Sequence, residues 1–483
     1  MPSREPISNV DTAWLRMDRP TNLMQIVGVL LFDGELDYER LRASVEHRML
    51  GFRRFRQMAV AEDAGYVWQD DPDFNLDHHL HREMLPGLAG KAELEQFVAD
   101  LASTPLNPNR PLWEMHLVDT SLGGQALVMR IHHSIADGIA MVGVILSMTE
   151  SSPGVAASHP PAHAAVQDEE VEEVGEDDLF WDTIWRPMSD ALLTSLRLTS
   201  NLWANPSKLL DYARIGTSIA SEIATLVTMP DDSPTSFKGK PGVAKRVAWS
   251  EPMSLPEVKA VGKVLGCSVN DMLLSAAAGA MRAYLVDRGD EVEGVEIRAM
   301  VPVNMRRPSD QGKLGNRFGL VALELPLGVE NPLARLYATR ERMEKLKGSY
   351  QAALTLSILG AVGMAPKFAQ QQVLDLLASK ATVVMTNVPG PQSALYLAGA
   401  KLLQPLFWVP QSGDIGMGVS ILSYDGKVQF GLITDKGLVP DPERIVERFA
   451  GEFDKLLMLV LMEPWDRLRD PAAVEAGLAC ADA

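Results

Sequence analysis

The residues best suited to chemistry in this chain are two adjacent histidines, His132 and His133, followed by Asp137 and Gly138. A neutral imidazole is the usual protein base for taking a proton from a hydroxyl group near pH 7. The pattern therefore indicates a general base. Histidines packed for structural reasons are one alternative. A metal site is another, although neighbouring side chains on a strand diverge and chelate poorly.

Two predicted elements flank the histidine pair. The apolar run at 126–131 follows Gly123 and Gly124 and predicts a buried strand. Side chains alternate between the two faces of a strand, so only one of the two histidines can face a reaction site. Residues 138–146 predict a buried helix, with Asp137 at its N-cap. A cap or a structural salt bridge is therefore the simpler role for Asp137.

Composition limits the classes of partner and compartment. The chain has 483 residues, which favours two or three domains, and a formal net charge of −18. Nucleic acid is not expected as a partner, because phosphate binding needs a basic surface. The two cysteines, Cys267 and Cys480, fit a reducing cytosol. No run reaches the ~18–20 apolar residues of a spanning helix, and no signal peptide is evident, so we expect a soluble or peripheral protein.

Changes in composition divide the chain into four predicted regions. Residues 1–150 alternate strands and helices and carry the histidine pair. Residues 151–180 are rich in proline, alanine and acidic side chains, which is typical of a flexible linker. Residues 181–240 predict a helical crossover, and strands and helices resume over 241–483. We therefore expect an N-terminal half and a C-terminal half joined by an acidic linker.

Two predicted helices in the second half carry a polar pair. The first helix covers 255–265, and the second begins at Ser268 and extends through Tyr284. Asn270 and Asp271 lie in its first turn, where polar and acidic side chains suit the free amides and the helix dipole. Capping is therefore the simpler role for both.

Other segments yield further predictions. Residues 246–249 predict a strand, and 413–434 predict two strands joined by an Asp-Gly turn. The apolar stretch 352–365 predicts a helix that is buried or touches lipid. A second histidine-rich segment, 77–81, lacks the Asp-Gly pair and is interpreted as polar surface.

Six segments occur together in a recognisable order. They are Ser8–Leu15, Pro111-Leu112-Trp113, His132-His133-x3-Asp137-Gly138, Val269-Asn270-Asp271, the Asn387-containing stretch 386–391, and 422–426. Together they resemble the bacterial wax ester synthase/acyl-CoA:diacylglycerol acyltransferase family. The histidine motif alone is similar to the broader chloramphenicol-acetyltransferase-like group, which includes the condensation domains of peptide synthetases.

The resemblance implies a fold and a reaction. The fold class is α/β, with two chloramphenicol-acetyltransferase-like subdomains of mixed sheets and helices and an active-site channel between them. The reaction is transfer of a long-chain acyl group from acyl-CoA to a lipid hydroxyl. Diacylglycerol would give triacylglycerol and a long-chain alcohol would give a wax ester. Acyl-CoA is then a substrate, and no permanently bound cofactor or metal is expected.

The resemblance also implies roles for individual residues. His133 would be the general base, while His132 and Asp137 would shape the site. Gly138 would allow a close approach of the backbone. Asn270 would stabilise the oxyanion or orient His133.

The resemblance implies structural roles for further residues. Pro111, Leu112 and Trp113 would pack the channel wall, and Asp271 and Asn387 belong to its structural motifs. Asp137 would pair with an arginine, for which the candidates are Arg306, Arg307 and Arg317. Cys267 is interpreted as a core residue and not as a nucleophile.

Two other functions compete with this one. A condensation-type acyltransferase would take its acyl group from a carrier protein. A non-catalytic lipid-binding protein would use the helices near 184–228 and 352–365. For the acyltransferase we expect a cytoplasmic location, with peripheral association at the inner membrane face or at lipid inclusions. Acceptor preference, acyl length and oligomeric state stay open.

Overall fold

The structure is a computed structural model of the chain. It describes residues 4–62, 65–153, 230–306, 314–347, 351–352, 355–356 and 379–462. Nearly all of the predicted acidic linker, the predicted crossover helices up to 229 and most of the predicted helix at 352–365 lie outside these ranges.

The described elements are numbered in chain order. The helices are α1 Asn9–Met17, α2 Tyr38–His47, α3 Lys91–Ala102, α4 Gly138–Met148, α5 Leu255–Leu265, α6 Val269–Arg288, α7 Pro332–Lys347 and α8 Glu443–Met462. The first-half strands are β1 Arg4–Pro6, β2 Gln25–Asp33, β3 Gln57–Glu62, β4 Gly65–Asp70, β5 Leu80–Met84, β6 Trp113–Asp119 and β7 Gln125–His132. The second-half strands are β8 Lys245–Trp249, β9 Met253–Ser254, β10 Ile297–Asn304, β11 Phe318–Leu325, β12 Val383–Pro389, β13 Tyr396–Leu397, β14 Ala400–Trp408, β15 Met417–Tyr424 and β16 Lys427–Asp435.

Local sequence patterns predicted several of these elements correctly. The buried strand before the histidines is β7, and the apolar helix after Asp137 is α4. Helix α5 has the predicted bounds, and the Asp-Gly hairpin is the β15–β16 pair. Helix α6 is longer than predicted, since it extends through Arg288 and is capped by Gly289, where φ is +83°. Glycine adopts this left-handed conformation without steric cost, so it stops the helix cleanly.

Two mixed sheets organise the described part of the chain. The first has the strand order β13-β14-β2-β7-β6-β5, and every residue of β7 is buried. The second has the order β11-β10-β12-β15-β16-β8, with β9 paired to β16. A separate small sheet contains β1, β4 and β3. The strand that ends at the histidine pair is therefore an inner strand of the first sheet.

The first sheet includes strands from the second half of the sequence. Strand β14 pairs antiparallel with β2, from Lys401 opposite Asp33 to Trp408 opposite Val27. The predicted division at residue 241 therefore does not separate the two sheets. The sequence prediction included neither β14 nor its pairing, because the local pattern of a strand does not encode its partner.

Apolar side chains join the two sheets. One buried cluster contains Val27 and Val128 of the first sheet, together with Trp249 and Ile433 of the second. Trp408 of β14 belongs to the same cluster. This packing connects the elements on which the site residues lie.

The prediction that residues 77–81 form a polar surface is wrong for the central residues of this segment, His79 and Leu80. His79 is 1% exposed, and its ring stacks on Trp113 with 4.6 Å between ring centroids. Its Nδ1 lies 2.7 Å from the carbonyl oxygen of Trp113. Leu80 is also buried. Burial lowers the pKa of His79, so the ring packs in its neutral form.

No single helix in the described ranges is both long and apolar enough to cross a membrane; the pair α5 and α6, bent by 99°, meets the criterion only by length and composition.

Candidate active site

His132 and His133 lie where β7 ends and turns toward α4. His132 is the last residue of the strand, and its Nδ1 lies 2.8 Å from the hydroxyl oxygen of Ser134. The backbone N–H of Ser134 also donates to this nitrogen at 3.1 Å. Burial lowers the pKa of His132 to about 3. His132 is thus a neutral ring that fixes the turn.

The ring of His133 lies between aromatic neighbours. It stacks on Trp14, with 4.2 Å between ring centroids and 23° between planes. Phe318 packs at 5.5 Å with a tilt of 55°. The side chain is 2% exposed. Burial lowers the pKa of His133 to about 4, against the opposing effect of the Asp137 charge, so the imidazole is neutral at pH 7.

The backbone of His133 is fixed by hydrogen bonds from both sides. Its N–H donates to the carbonyl of Met24 at 2.7 Å. Its carbonyl accepts a 2.7 Å hydrogen bond from Nδ2 of Asn316, which also donates to Oδ1 of Asp11 at 2.7 Å. Asn316 therefore links α1, the histidine turn and the segment before β11.

Asp137 has both of its predicted roles. Its Oδ1 accepts from the backbone N–H of Ala140 at 2.9 Å and caps α4. Its Oδ2 accepts from Nη2 of Arg306 at 2.8 Å and from the backbone N–H of Arg317 at 3.0 Å. Arg306 is therefore an ionic partner of Asp137 among the described residues, and Arg317 also bonds to it through its main chain. Arg307 lies outside the described residues.

A short segment before β11 holds this turn in place. Gly315 forms a parallel bridge with Ala136, and Arg306 also donates to the carbonyl of Gly315. Gly315 has φ of +106°, a conformation that favours glycine. Asn316, Arg317 and Phe318 then contact the turn in succession. Sequence reasoning missed Asn316 and Phe318, and the Gly-Asn-Arg-Phe run would have been their only signal.

Gly138 is not crowded by the described residues around it. A methyl group on its Cα would lie 3.9 Å from the nearest side-chain atom, Cγ1 of Val409, which is an ordinary van der Waals distance. Close approach of another chain segment is therefore not the reason for glycine here. Its position is that of the first residue of α4.

The Pro111-Leu112-Trp113 segment braces β7. Both Pro111 and Leu112 are buried, and the carbonyl of Leu112 accepts from the backbone N–H of His132 at 2.9 Å. The Trp113 ring is fully buried in the first-half core, and its Nε1 donates to the carbonyl of Phe55 at 2.8 Å. These contacts indicate that the segment supports the strand, and the expected role in the channel wall stays a prediction.

Asn270, Asp271 and Asn387 form a second polar group. Nδ2 of Asn387, on β12, donates to Oδ1 of Asn270 at 2.6 Å. Asp271 forms a capping box with Ser268 at the start of α6, and burial raises its pKa. In the described ranges, no hydrogen bond joins this group to His133. The structure therefore pairs Asn270 with Asn387 and gives Asp271 its capping role.

Cys267 lacks the properties of a nucleophile. Burial is the largest cause that raises the pKa of its thiol to about 11, and the charge of Asp271 acts in the same direction. A nucleophilic cysteine needs a lowered pKa, because the thiolate is the reactive form. Within the described ranges, no group of three histidine, cysteine or acidic side chains is arranged to hold a metal ion.

Comparison with known families identifies the family of the chain. The model of the wax ester synthase/diacylglycerol acyltransferase catalytic domain matches residues 7–273, and the C-terminal domain model of that family matches 314–457. The chain belongs to the wax ester synthase/diacylglycerol acyltransferase family. It is an enzyme that transfers acyl groups to lipid, and acyl-CoA is its substrate.

Relatives of this acyltransferase cover nearly its whole length. A Mycobacterium tuberculosis protein described as a probable diacylglycerol O-acyltransferase is 27% identical over 94% of this chain and 96% of its own. Another from the same organism, with the same description, is 28% identical over 86% and 89%.

Solved structures confirm the predicted α/β fold with two lobes. The wax ester synthase/diacylglycerol acyltransferase of Marinobacter aquaeolei VT8 superposes with a TM-score of 0.65 at 21% identity, over 94% of this chain and 99% of that one. The first condensation domain of the calcium-dependent antibiotic synthetase gives 0.58 at 14% identity, over 97% of each chain.

The lowered pKa values of the two buried histidines predict a loss of stability in acid. Above about pH 6.5 both rings are neutral in the folded and unfolded chain, so they add no pH dependence. Between about pH 6.5 and 4 the unfolded chain binds protons there and the folded chain does not. As the pH is lowered through this range, the free energy of unfolding should therefore decrease by about 1 kcal/mol per pH unit for each ring.

Urea unfolding between pH 7.5 and 5 measures this slope. His133→Gln should flatten it, because glutamine does not titrate, whereas His47→Ala, at an exposed histidine, should keep the wild-type slope. A wild-type slope in His133→Gln would show that the ring is not held neutral by the fold.

Proposed function

We propose that the chain esterifies diacylglycerol or a long-chain alcohol by direct transfer from acyl-CoA, with His133 as the general base. The observation that carries the proposal is the His133 imidazole. It is neutral, ordered by backbone hydrogen bonds on both sides and packed against aromatic rings. Family membership supports the reaction class, and the geometry around this ring supports the residue that performs it.

The chemical step follows from the acidity of an alcohol. An imidazole with a pKa of ~6.5 or less cannot ionise an alcohol beforehand, so proton removal must accompany attack. The hydroxyl oxygen bonds to the thioester carbonyl carbon as His133 takes the hydroxyl proton. The tetrahedral intermediate then breaks its carbon–sulfur bond, and His133-H⁺ returns the proton to the leaving thiolate of CoA. The products are an ester and free CoA, and no acyl-enzyme forms.

The other site residues would act around this step. His132 and Asp137 shape the turn, and Arg306 ties that turn to the second half of the chain. Gly138 places the start of α4 next to the turn. Asn270 would supply an amide donor to the developing oxyanion. Its carbonyl oxygen is engaged by Asn387, which leaves its NH₂ group as the candidate donor.

Replacing the proposed base should abolish most turnover. His133→Ala removes the proton acceptor, and we expect kcat to fall by at least about 100-fold. The measurement is CoA release and lipid chromatography with palmitoyl-CoA, offering diacylglycerol and hexadecanol in parallel and no carrier protein. His47→Ala is the matched control and should retain wild-type kcat. Full activity of a folded His133→Ala enzyme would refute the assignment.

Diacylglycerol and long-chain alcohols are hydrophobic, so the enzyme needs access to a lipid surface. One end of the first sheet exposes apolar side chains suited to that contact. Met84, Leu88 and Leu122 are 86%, 84% and 44% exposed. Met84 lies opposite Asp119 in the β5–β6 pair, and the backbone N–H of Ser121 donates to the carbonyl of Ala89. Met84 is the last residue of β5, and Leu88 and Leu122 thus lie on the neighbouring loops at the same end of the sheet. We call Met84, Leu88 and Leu122 the apolar tip.

We propose that the apolar tip inserts into neutral lipid and gives a cytoplasmic enzyme peripheral contact with the inner membrane face or with lipid inclusions. Burying one such side chain contributes roughly 1.5–3 kcal/mol. The net charge of −18 opposes attraction to an anionic surface, so apolar insertion must supply the affinity.

The triple variant Met84→Ser/Leu88→Ser/Leu122→Ser tests this contact. Its flotation with a triolein–phosphatidylcholine emulsion should fall more than about tenfold, because three apolar insertions are lost. Val243→Ser/Val286→Ser, which removes two exposed apolar side chains elsewhere, should float like the wild type. Equal flotation of the triple variant and the wild type would exclude the apolar tip as the contact.

A further inference from the structure

Helix α1 contacts the histidine turn through two side chains on one face. Asp11 and Trp14 are three residues apart, so they lie on the same side of the helix. Asp11 reaches the turn indirectly, through Nδ2 of Asn316. Trp14 reaches it directly, by stacking on the ring of His133. The helix therefore holds the backbone of the turn at one point and the ring at another.

The start of α1 is itself well fixed. The hydroxyl of Ser8 accepts from the backbone N–H of Asp11 and donates to Oδ2 of the same residue at 2.7 Å. Trp14 and Phe318 pack against each other with ring centroids 5.9 Å apart. Trp14 is buried, and it belongs to a small cluster with Met17, Met24 and Phe318. The indole is thus rigidly placed where it meets His133.

We propose that Trp14 is a positioning residue for the acyl transfer, which fixes the plane of the His133 ring and excludes water from its face. The proposal rests on the proposed function, since it assumes that His133 is the base. Trp14 itself takes no part in proton transfer. Stacking restricts rotation of the imidazole about its side-chain torsions, and a base that is misplaced by about 1 Å can lose about 10²-fold in rate.

Water exclusion gives the proposal a distinctive signature. Burial is the largest cause of the lowered pKa of His133. Among the described residues, the titratable or charged groups next to the ring or bonded to its turn include His132 on β7, Asp137 at the cap of α4, Asp11 on α1 and Arg306 beyond β10. A Trp14 substitution leaves all four unchanged. Admitting water to the ring should therefore raise its pKa toward the ordinary value of 6.5.

The experiment compares Trp14→Leu and Trp14→Phe with the wild type in pH profiles of kcat/KM and kcat. Trp14→Leu should lower kcat about 10- to 100-fold, change the KM for palmitoyl-CoA less, and move the acid limb to higher pH. Trp14→Phe keeps an aromatic face and should restore most of kcat and a nearly wild-type acid limb. Trp68→Leu removes another buried indole of the first half and is the matched control.

Each result decides between positioning and mere packing. A Trp14→Leu enzyme with wild-type kcat and acid limb overturns the proposal, as does a kcat loss that Trp68→Leu matches with no shift of the limb. If Trp14→Leu does not fold, Trp14→Phe decides, because its acid limb must then lie at or slightly above the wild-type position with kcat reduced less than tenfold. Full activity of His133→Ala would instead refute the proposed function, in which His133 is the base.

Discussion

The burial of one neutral imidazole is the constraint on which the site depends. The ring of His133 lies against Trp14 and Phe318, and its backbone bonds to Met24 and Asn316. Burial favours the uncharged form, and only the uncharged form can accept a proton. The same contacts that desolvate the ring also fix its orientation. Burial makes the His133 imidazole a weaker base. Its fixed position and the exclusion of water must compensate for this weaker basicity.

The turn that carries this ring depends on both halves of the chain. Asp137 caps α4 with one oxygen and binds Arg306 and the main chain of Arg317 with the other. A buried ion pair contributes little net stability, because desolvation of both charges offsets their attraction. Its value lies in geometry, since both partners must be present and aligned. The segment 314–318 therefore helps to hold the turn in place.

Local physics explains what could be predicted from the sequence. The β7 strand, the α4 helix with its Asp137 cap and the β15–β16 hairpin follow from apolar periodicity and turn chemistry, which act over a few residues. The family motifs led to the fold class and the reaction class. Trp14 lay inside one of those motifs, but its contact with His133 spans more than one hundred residues of chain. No local pattern encodes such a contact.

Long-range packing explains what could not be predicted. The pairing of β14 with β2 joins residues about 370 to 380 apart in sequence. His79 looks polar in sequence but fits between aromatic rings, because a neutral imidazole can bury a face once its Nδ1 finds a carbonyl. Asn316 is one polar residue among many until the fold brings it between Asp11 and His133.

The most direct test of the central claim is chemical rescue. His133→Gly leaves room for an added imidazole between Trp14 and Phe318. With palmitoyl-CoA and diacylglycerol, this variant should be nearly inactive alone. Turnover should rise with the concentration of neutral imidazole, while the wild type should not respond. A His133→Gly enzyme that turns over at the wild-type rate without imidazole would contradict the claim that this ring is the base.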